Sequence, residues 1–174
     1  MRGLRGVGAV LALAWALRPE IGRYQSERIL RATQATLRFI AAHPTDVADP
    51  MEALARVETF TGLAASRLPQ DPRPWILKGG AQLVRGRPDE AVASYRRANA
   101  LGERAETDLN LGRAFEAQGD EARSHAAFLR AVWISPSLLS ALLPDTAARL
   151  FPELQRLERD LRAGRLRAPP PPAD

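Results

Sequence analysis

A pattern of small and aromatic residues occurs twice in this sequence, and the second copy lies about 33 residues after the first. The segment from Arg87 to Pro136 carries most of the pattern. Self-similarity at a fixed period of this length is typical of proteins that stack one structural repeat on the next. The sequence therefore predicts a stacked-repeat architecture. The matching pairs are Gly79 and Gly112, Gly86 and Gly119, Ala91 and Ser124, Tyr95 and Phe128, and Ala98 and Ala131.

The composition between the glycines and prolines favours helices. These segments are rich in Ala, Leu and Arg, which have high helix propensity, and β-branched residues are sparse. No stretch reads convincingly as a β-strand. The 174 residues suffice for three to four helical hairpins and are too few for a catalytic domain beside a second domain. We therefore expect an all-α fold, built as a short helical-hairpin solenoid.

Helix start and stop patterns divide the chain into hairpins. Asp49-Pro50 is typical of a helix start, since Asp caps the first turn and Pro fits the first helical position. The proline at His43-Pro44 is expected to end the preceding helix. Short turns between successive helices predict antiparallel neighbours. The predicted helices cover about residues 24–42, 50–67, 75–85, 88–101, 103–118 and 121–134.

The carboxyl-terminal part predicts a closing helix and a tail. Leu154, Leu157 and Leu161 recur at helical spacing, and the opposite face is charged. This pattern is expected of a capping helix that covers the last hydrophobic surface. We expect the helical domain to span residues 20–163, and residues 164–174 to form an extended, disordered proline-rich tail.

The amino-terminal residues 1–19 differ from the rest of the chain. Arg2 and Arg5 precede an apolar run from Val7 to Leu17, which as a helix spans only about 16 Å and is short for a permanent membrane span. The small residues Ala14 and Ala16 fit a signal-peptide cleavage site. An uncleaved anchor, a transit peptide, the end of a membrane helix from a longer reading frame, and a core-packed or fraying helix remain alternatives. We expect export or membrane association through residues 1–17, on the periplasmic side of a bacterial inner membrane.

Charge and residue types exclude several kinds of chemistry. The net charge is +5, but residues 1–19 hold three arginines without an acid, so the body is nearly balanced and predicts no nucleic-acid footprint. There is no cysteine, and His43 and His125 are too isolated for metal-ligand spacing. Acids such as Asp120 stand at helix starts, where the helix dipole favours them. We expect no catalytic residues, no cofactor and no metal.

The two copies of the pattern resemble the tetratricopeptide repeat (TPR) family. The first unit has Trp75, Gly79, Ala91, Tyr95 and Ala98; the second has Leu111, Gly112, Phe115, Phe128, Ala131 and Pro136. Lys78, Gln82, Glu103, Asp108 and Ser124 depart from the family pattern. The resemblance covers residues 72–138 well and 20–71 weakly. It implies a right-handed solenoid in which glycine and alanine let paired helices approach and an aromatic ring fills the space beside them.

The resemblance also implies a groove for a protein partner, lined by the first helix of each hairpin. Asn110 matches an asparagine that often binds a ligand's main chain in this family. Ile76 and Gly80 stand where some members grip a terminal carboxylate, so that clamp is not expected. The groove residues carried over by position are Arg73, Ile76, Leu77, Leu83, Val84, Glu106, Leu109, Asn110, Arg113, Glu116 and Ala117.

We therefore expect a non-catalytic scaffold for protein–protein interaction, or an accessory subunit of a membrane or cell-envelope complex. The alternative is a TPR portion associated with a membrane enzyme, such as an envelope polysaccharide polymerase or ligase. A nucleic-acid-binding solenoid is a third, less favoured hypothesis. A fold by itself does not identify a partner.

Overall fold

The computed structural model describes residues 3–43, 45–166 and 168–173, with side chains from residue 20 onward except that of Ile21. These residues form helices and connecting turns, with no strand among them. Each helix packs mainly on its neighbours along the chain, which confirms the all-α prediction and agrees with a helical-hairpin stack. The helices are α1 (Gly3–Ala42), α2 (Pro50–Arg67), α3 (Arg73–Val84), α4 (Pro88–Leu101), α5 (Ala105–Gln118), α6 (Glu121–Ile134), a 3-10 helix (Pro136–Ala141) and α7 (Pro144–Arg162).

Helix α1 is longer than the sequence suggested. We expected a helix from about Tyr24, separated from the apolar segment at Pro19, but one helix runs from Gly3 to Ala42 through that proline. A proline removes one main-chain hydrogen bond, and the Ala- and Leu-rich turns before it favour continuation. Pro44, the predicted stop, lies outside the described residues. Within the described ranges, no helix is long and apolar enough to cross a membrane.

The predicted helix caps are present where carboxylates precede helices α2 and α6. The side chain of Asp49 accepts a hydrogen bond from the backbone N–H of Glu52 at 2.9 Å. Asp120 accepts one from the backbone N–H of Arg123, also at 2.9 Å. Each bond satisfies an amide that has no partner inside its helix. The predicted structural role of these acids is confirmed.

The two hairpins α3–α4 and α5–α6 share the same internal contact. A Cβ atom added at Gly79 would lie 2.7 Å from the ring of Tyr95, and one added at Gly112 would lie 2.5 Å from the ring of Phe128. Both distances are far shorter than a van der Waals contact. The helices of each hairpin can therefore approach this closely only because the first helix has no side chain at that point.

The turns inside the two hairpins are also equivalent. Gly86 and Gly119 adopt positive φ angles of 70° and 76°, a conformation that glycine adopts without strain. The backbone N–H of Arg87 donates to the carbonyl of Gln82, and that of Asp120 donates to the carbonyl of Phe115, both at 2.9 Å. The repeated sequence pattern thus produces the same helix–turn–helix geometry twice.

The core is divided along the stack into three clusters. The first cluster contains Ile40, Leu54, Val57 and Ala81. The central cluster contains Ala91, Val92, Tyr95, Leu111, Ala114, Phe115, Ala127 and Ala173. The terminal cluster contains Leu109, Phe128, Leu129, Ala131 and Leu150. Each cluster joins neighbouring helices, so the hydrophobic contacts are distributed along the stack as in repeat proteins.

The end of the chain covers the terminal cluster and then turns back. Helix α7 begins at Pro144, earlier than the leucine pattern suggested, and contains Pro152. Leu154 and Leu157 pack against the terminal cluster, while Leu161 is 55% exposed. Residues 168–173 form no helix. Their contacts with the helices were not expected from the sequence.

Replacing either hairpin glycine by alanine is predicted to destabilise the protein. Gly79→Ala and Gly112→Ala should each lower the free energy of unfolding by about 1–3 kcal/mol, because a methyl group would overlap a buried ring. The measurement is urea denaturation followed by circular dichroism. Gly62 on α2 has no atom within 4 Å of an added Cβ, so Gly62→Ala serves as the control and should stabilise by up to about 1 kcal/mol. Equal effects at all three positions would contradict the packing described.

Candidate partner-binding groove

The first predicted groove residue, Arg73, is held in an ionic cluster between α1 and α3. Its Nη2 lies 2.5 Å from Oε1 of Glu27 and 2.6 Å from Oδ2 of Asp71. The hydrogen bonds that Arg73 donates to Asp71 and then to Glu27 raise the pKa of the guanidinium, and the bond from Arg73 lowers the pKa of the Glu27 carboxyl. Arg73 therefore fastens α1 to the start of α3, with part of its side chain still exposed.

The apolar residues of the predicted groove are divided between core and surface. Ile76 and Leu83 are partly buried and pack against the central cluster. Leu109 is only 5% exposed and belongs to the terminal cluster. Val84 is 57% exposed at the end of α3, and Leu77 is half-buried. The structure thus places Ile76, Leu83 and Leu109 where they stabilise the stack.

The polar residues of α5 form a continuous stripe. The Nη1 atom of Arg113 donates to Oδ1 of Asn110 at 3.2 Å, and its Nη2 donates to the carbonyl of Ala141 in the 3-10 helix at 3.3 Å. Glu106 and Glu116 are exposed on the same helix. Spacings of four, three and three residues keep these side chains within about one face of a helix. The structure therefore brings Glu106, Asn110, Arg113 and Glu116 together on α5.

Helix α1 contributes to the face beside this stripe, which the family pattern could not indicate. A Cβ at Gly80 of α3 would lie 3.8 Å from Cδ1 of Leu37 and 3.8 Å from the Tyr95 hydroxyl. Burial raises the pKa of that hydroxyl, while the charge of Arg113 acts in the opposite direction. Leu30 and Leu37 are seven residues apart on α1, two helical turns, and both are at least partly buried.

A buried polar cluster lies behind the stripe and was not anticipated. Asp108 is 2% exposed; its Oδ1 accepts a hydrogen bond from Nδ2 of Asn99 at 2.6 Å, and its Oδ2 has no partner among the described residues. Burial raises the pKa of Asp108 to about 6, and the nearby Glu103 adds to the shift. An ionised carboxylate is costly in such a place.

A second open groove runs between α1 and α2, away from the predicted site. It has a volume of about 750 Å³, and its apolar floor includes Ile29, Val57 and Phe60. Arginines surround this floor, while the acids Glu27 and Glu58 bind arginines of α3 and the loop after it. The body's charges are therefore less evenly mixed than the sequence totals suggested. The lining arginines are Arg28, Arg31, Arg56 and Arg67.

The two histidines pair with carboxylates at the surface. His43 Nδ1 lies 3.6 Å from Asp46, and His125 Nε2 lies 2.9 Å from Glu153, which joins α6 to α7. Across residues 3–43, 45–166 and 168–173, no group of three or more His, Asp or Glu side chains is arranged for a metal ion. The predictions of no cofactor and no enzymatic activity are not tested by this observation.

Comparisons with known proteins give no family assignment. No model of a known protein family matches the sequence, and a search of curated proteins finds no significant similarity. The function must therefore be argued from the residues and their geometry.

Removing the charge of Asp108 is predicted to change the pH dependence of stability. The folded-state pKa of about 6 lies above the usual 3.8, so the folded protein binds more protons between these values and the wild type loses stability as the pH rises through this window. Asp108→Asn should therefore be more stable than the wild type above pH 6, by at most about 3 kcal/mol.

The measurement is urea denaturation of both proteins at pH 4.5 and 7.5, with the difference between them compared at each pH. The carboxyl of Glu27, whose pKa is lowered, is present in both proteins and its contribution cancels. A stability difference that stays constant with pH would show that Asp108 titrates normally.

Proposed function

We propose that this protein is a non-catalytic scaffold or accessory subunit that binds another protein through the α5 stripe, and that its hairpins are TPR repeats in a right-handed solenoid. The observation that carries the proposal is the pair formed by Asn110 and Arg113. These two polar side chains are bound to each other at 3.2 Å on an accessible helix face, and neither belongs to a hydrophobic cluster.

The chemistry of the stripe favours an extended peptide segment with mixed charge. Because Oδ1 of Asn110 accepts from Arg113, its Nδ2 group can donate to a partner's main-chain carbonyl. The guanidinium of Arg113 can bind a carboxylate, and the exposed Glu106 and Glu116 favour basic side chains on either side of it. Glu106 and Glu116 are ten positions apart, which corresponds to about 15 Å along the helix. Four or five residues of an extended peptide cover the same distance.

The remaining predicted groove residues mainly hold the helices in place in this proposal. Arg73 keeps its place through Glu27 and Asp71, and part of its guanidinium can still contact a partner at the α3 end of the face. Ile76, Leu83 and Leu109 fix the angle between successive hairpins from below. Their substitution is expected to affect folding first and binding second.

The amino-terminal helix suggests how the scaffold is attached. Residues 20–42 of α1 pack on α2 and α3, and the apolar run from Val7 to Leu17 continues from them along the same helix. We propose that residues 1–17 direct the chain to the periplasmic side of a bacterial inner membrane, as an anchor or a cleaved signal.

The alternative function is a TPR portion that accompanies a membrane enzyme, such as an envelope polysaccharide polymerase or ligase. The continuous α1 favours this alternative as well, because one uninterrupted helix would hold the hairpins in a fixed position relative to a membrane partner. Both hypotheses use the stripe for binding, and they differ in whether the partner is an enzyme.

The double substitution Asn110→Ala and Arg113→Ala is predicted to reduce partner capture at least tenfold. The tagged protein is recovered in mild detergent from its own cells, and the bound proteins are quantified by mass spectrometry. The melting temperature should change by less than about 3 °C, since neither side chain belongs to a hydrophobic cluster and such surface positions contribute little to stability.

Arg97→Ala provides the matched control, because Arg97 is exposed on α4 and has no ionic partner among the described side chains. It should leave capture unchanged. Equal loss of the partner with both variants would contradict a specific role for the α5 stripe.

Deletion of residues 1–17 is predicted to release the protein from the membrane fraction if these residues anchor it. The measurement is high-salt fractionation with intact-mass analysis of the recovered protein. An anchored protein retains Val7 to Leu17 and sediments with membranes, while an exported protein has lost them. A full-length protein that stays soluble in the cytoplasm would refute both forms of the localisation proposal.

A further inference from the structure

The surface between α4 and α6 contains a crease that is filled by the end of the chain. Helices α4 and α6 each pack on α5, and they make few contacts with each other. The floor between them includes Phe115 of α5, which is fully buried. The described tail residues 168–173 lie at this place, where Pro170 and Ala173 are both buried. The crease is on the second helices of the hairpins, away from the α5 stripe.

Arg130 of α6 holds one end of the tail. Its Nε and Nη2 atoms donate to the carboxylate of Glu103 at 2.8 and 2.7 Å. This pair fixes the guanidinium plane, and the remaining Nη1 donates to the main-chain carbonyl of Pro170 at 2.6 Å. A carbonyl of a proline-rich segment has no hydrogen-bond partner within that segment, since polyproline II has no internal hydrogen bonds. Arg130 is therefore preorganised to bind such a segment.

Ala173 occupies the other end of the crease. It is 8% exposed and belongs to the central cluster together with Val92, Phe115 and Ala127. The guanidinium of Arg123 lies 4.7 Å from the centre of the Phe115 ring, and Arg96 on α4 lies 5.8 Å from it. Both guanidinium groups thus lie close to this ring. The site at Ala173 consequently suits a small side chain and excludes a large or charged one.

The two contacts can be joined by a short extended segment. Pro170 is bound by Arg130, and the central cluster that contains Ala173 includes Ala127, three positions before Arg130 on the same helix. Ala173 lies three positions after Pro170, and polyproline II covers about 9 Å over three residues. The tail can thus reach from Arg130 to the side chains of the central cluster in an extended conformation.

We propose that the crease between α4 and α6 is a binding site for an extended proline-rich segment, and that residues 168–173 of the same chain are its resident ligand. Prolines reduce the entropy lost on binding because the segment is already extended. The tail and the α5 stripe are on different helix faces, so this site can be occupied while the stripe binds a partner.

The experiment uses a chain that ends at Leu166 and a fluorescently labelled peptide of residues 167–174. Ending at Leu166 keeps the amides of Gly164, Arg165 and Leu166, which donate to carbonyls of the last turn of α7. Fluorescence anisotropy should show peptide binding to the shortened chain, and binding to the full chain should be at least tenfold weaker. The reason is that the attached tail competes at a high effective concentration.

Changes in the peptide test the contacts without affecting the fold of the protein. A peptide with Ala173→Glu should bind the shortened chain at least tenfold more weakly, because its side chain cannot enter the central cluster. A peptide with Ala168→Glu is the matched control, since Ala168 is exposed, and should bind like the unchanged peptide. Equal binding of all three peptides would overturn the site.

Changes in the protein test the same contacts from the other side. Arg130→Ala in the shortened chain should weaken peptide binding at least fivefold, whereas Arg97→Ala should have no effect. Ala173→Glu in the full chain leaves its length unchanged and should release the tail, so that added peptide binds as it does to the shortened chain. This variant keeps the test valid if the shortened chain folds poorly.

Two results would overturn the proposal. The first is failure of the peptide to bind both the shortened chain and the Ala173→Glu full chain at millimolar concentration. The second is a full-length dimer that becomes monomeric when residues 167–174 are removed, because the tail would then occupy the crease of a second copy. Light scattering distinguishes this exchange from binding within one chain.

Discussion

The contact between a glycine and an aromatic ring determines how each hairpin is built. Gly79 faces Tyr95 and Gly112 faces Phe128, at distances that leave no room for a methyl group. The rings are almost completely buried, so they cannot move aside without opening the core. This contact brings paired helices close together, and the closeness in turn positions the outer faces of α3 and α5. The inner face of α5 packs in the core, and the polar stripe lies on the face that remains accessible.

Ion pairs connect the hairpins that these contacts build. Arg73 joins α1 to α3 through Glu27, and Glu58 of α2 binds both Arg85 and Arg87 around the turn between α3 and α4. Exposed pairs of this kind stabilise only weakly, but Glu58 is shielded and has two partners. Glu27 and Glu58 are thereby bound to the rest of the stack, whereas Glu20 and Glu52 pair with arginines of their own helices. Arg28, Arg31, Arg56 and Arg67 line the outer groove, although the body as a whole is nearly neutral.

Local features of the fold could be predicted from the sequence because they depend on a few neighbouring residues. The cap at Asp49, the turn at Gly119 and the contact between Gly112 and Phe128 each follow from residue types at fixed spacing. The continuity of α1 could not be predicted in this way, since a proline either ends a helix or is tolerated according to the turns around it. Positions 24–42 were expected to be helical, and the structure extends that helix to Gly3.

The candidate site was predictable only in part for a related reason. The period of the repeat places Asn110 and Arg113 on one face, but it does not say how far the next helix covers that face. Leu109 is covered by α6 and α7, so it lies in the core. Asp108 occupies the place of a tryptophan in the family pattern, and only its surroundings reveal that its carboxylate is buried.

The contact of the tail with α6 changes how the stack can lose its structure. In a chain of repeats that touch only their neighbours, the last helix can fray while the middle remains folded. Here the chain returns from α7 to Arg130, across 40 residues, and closes a loop around the terminal cluster. Fraying of α7 then also requires the tail to leave the central cluster. The last helix of the stack therefore unfolds together with the tail contact, so unfolding at this end is more cooperative than in a stack without such a contact.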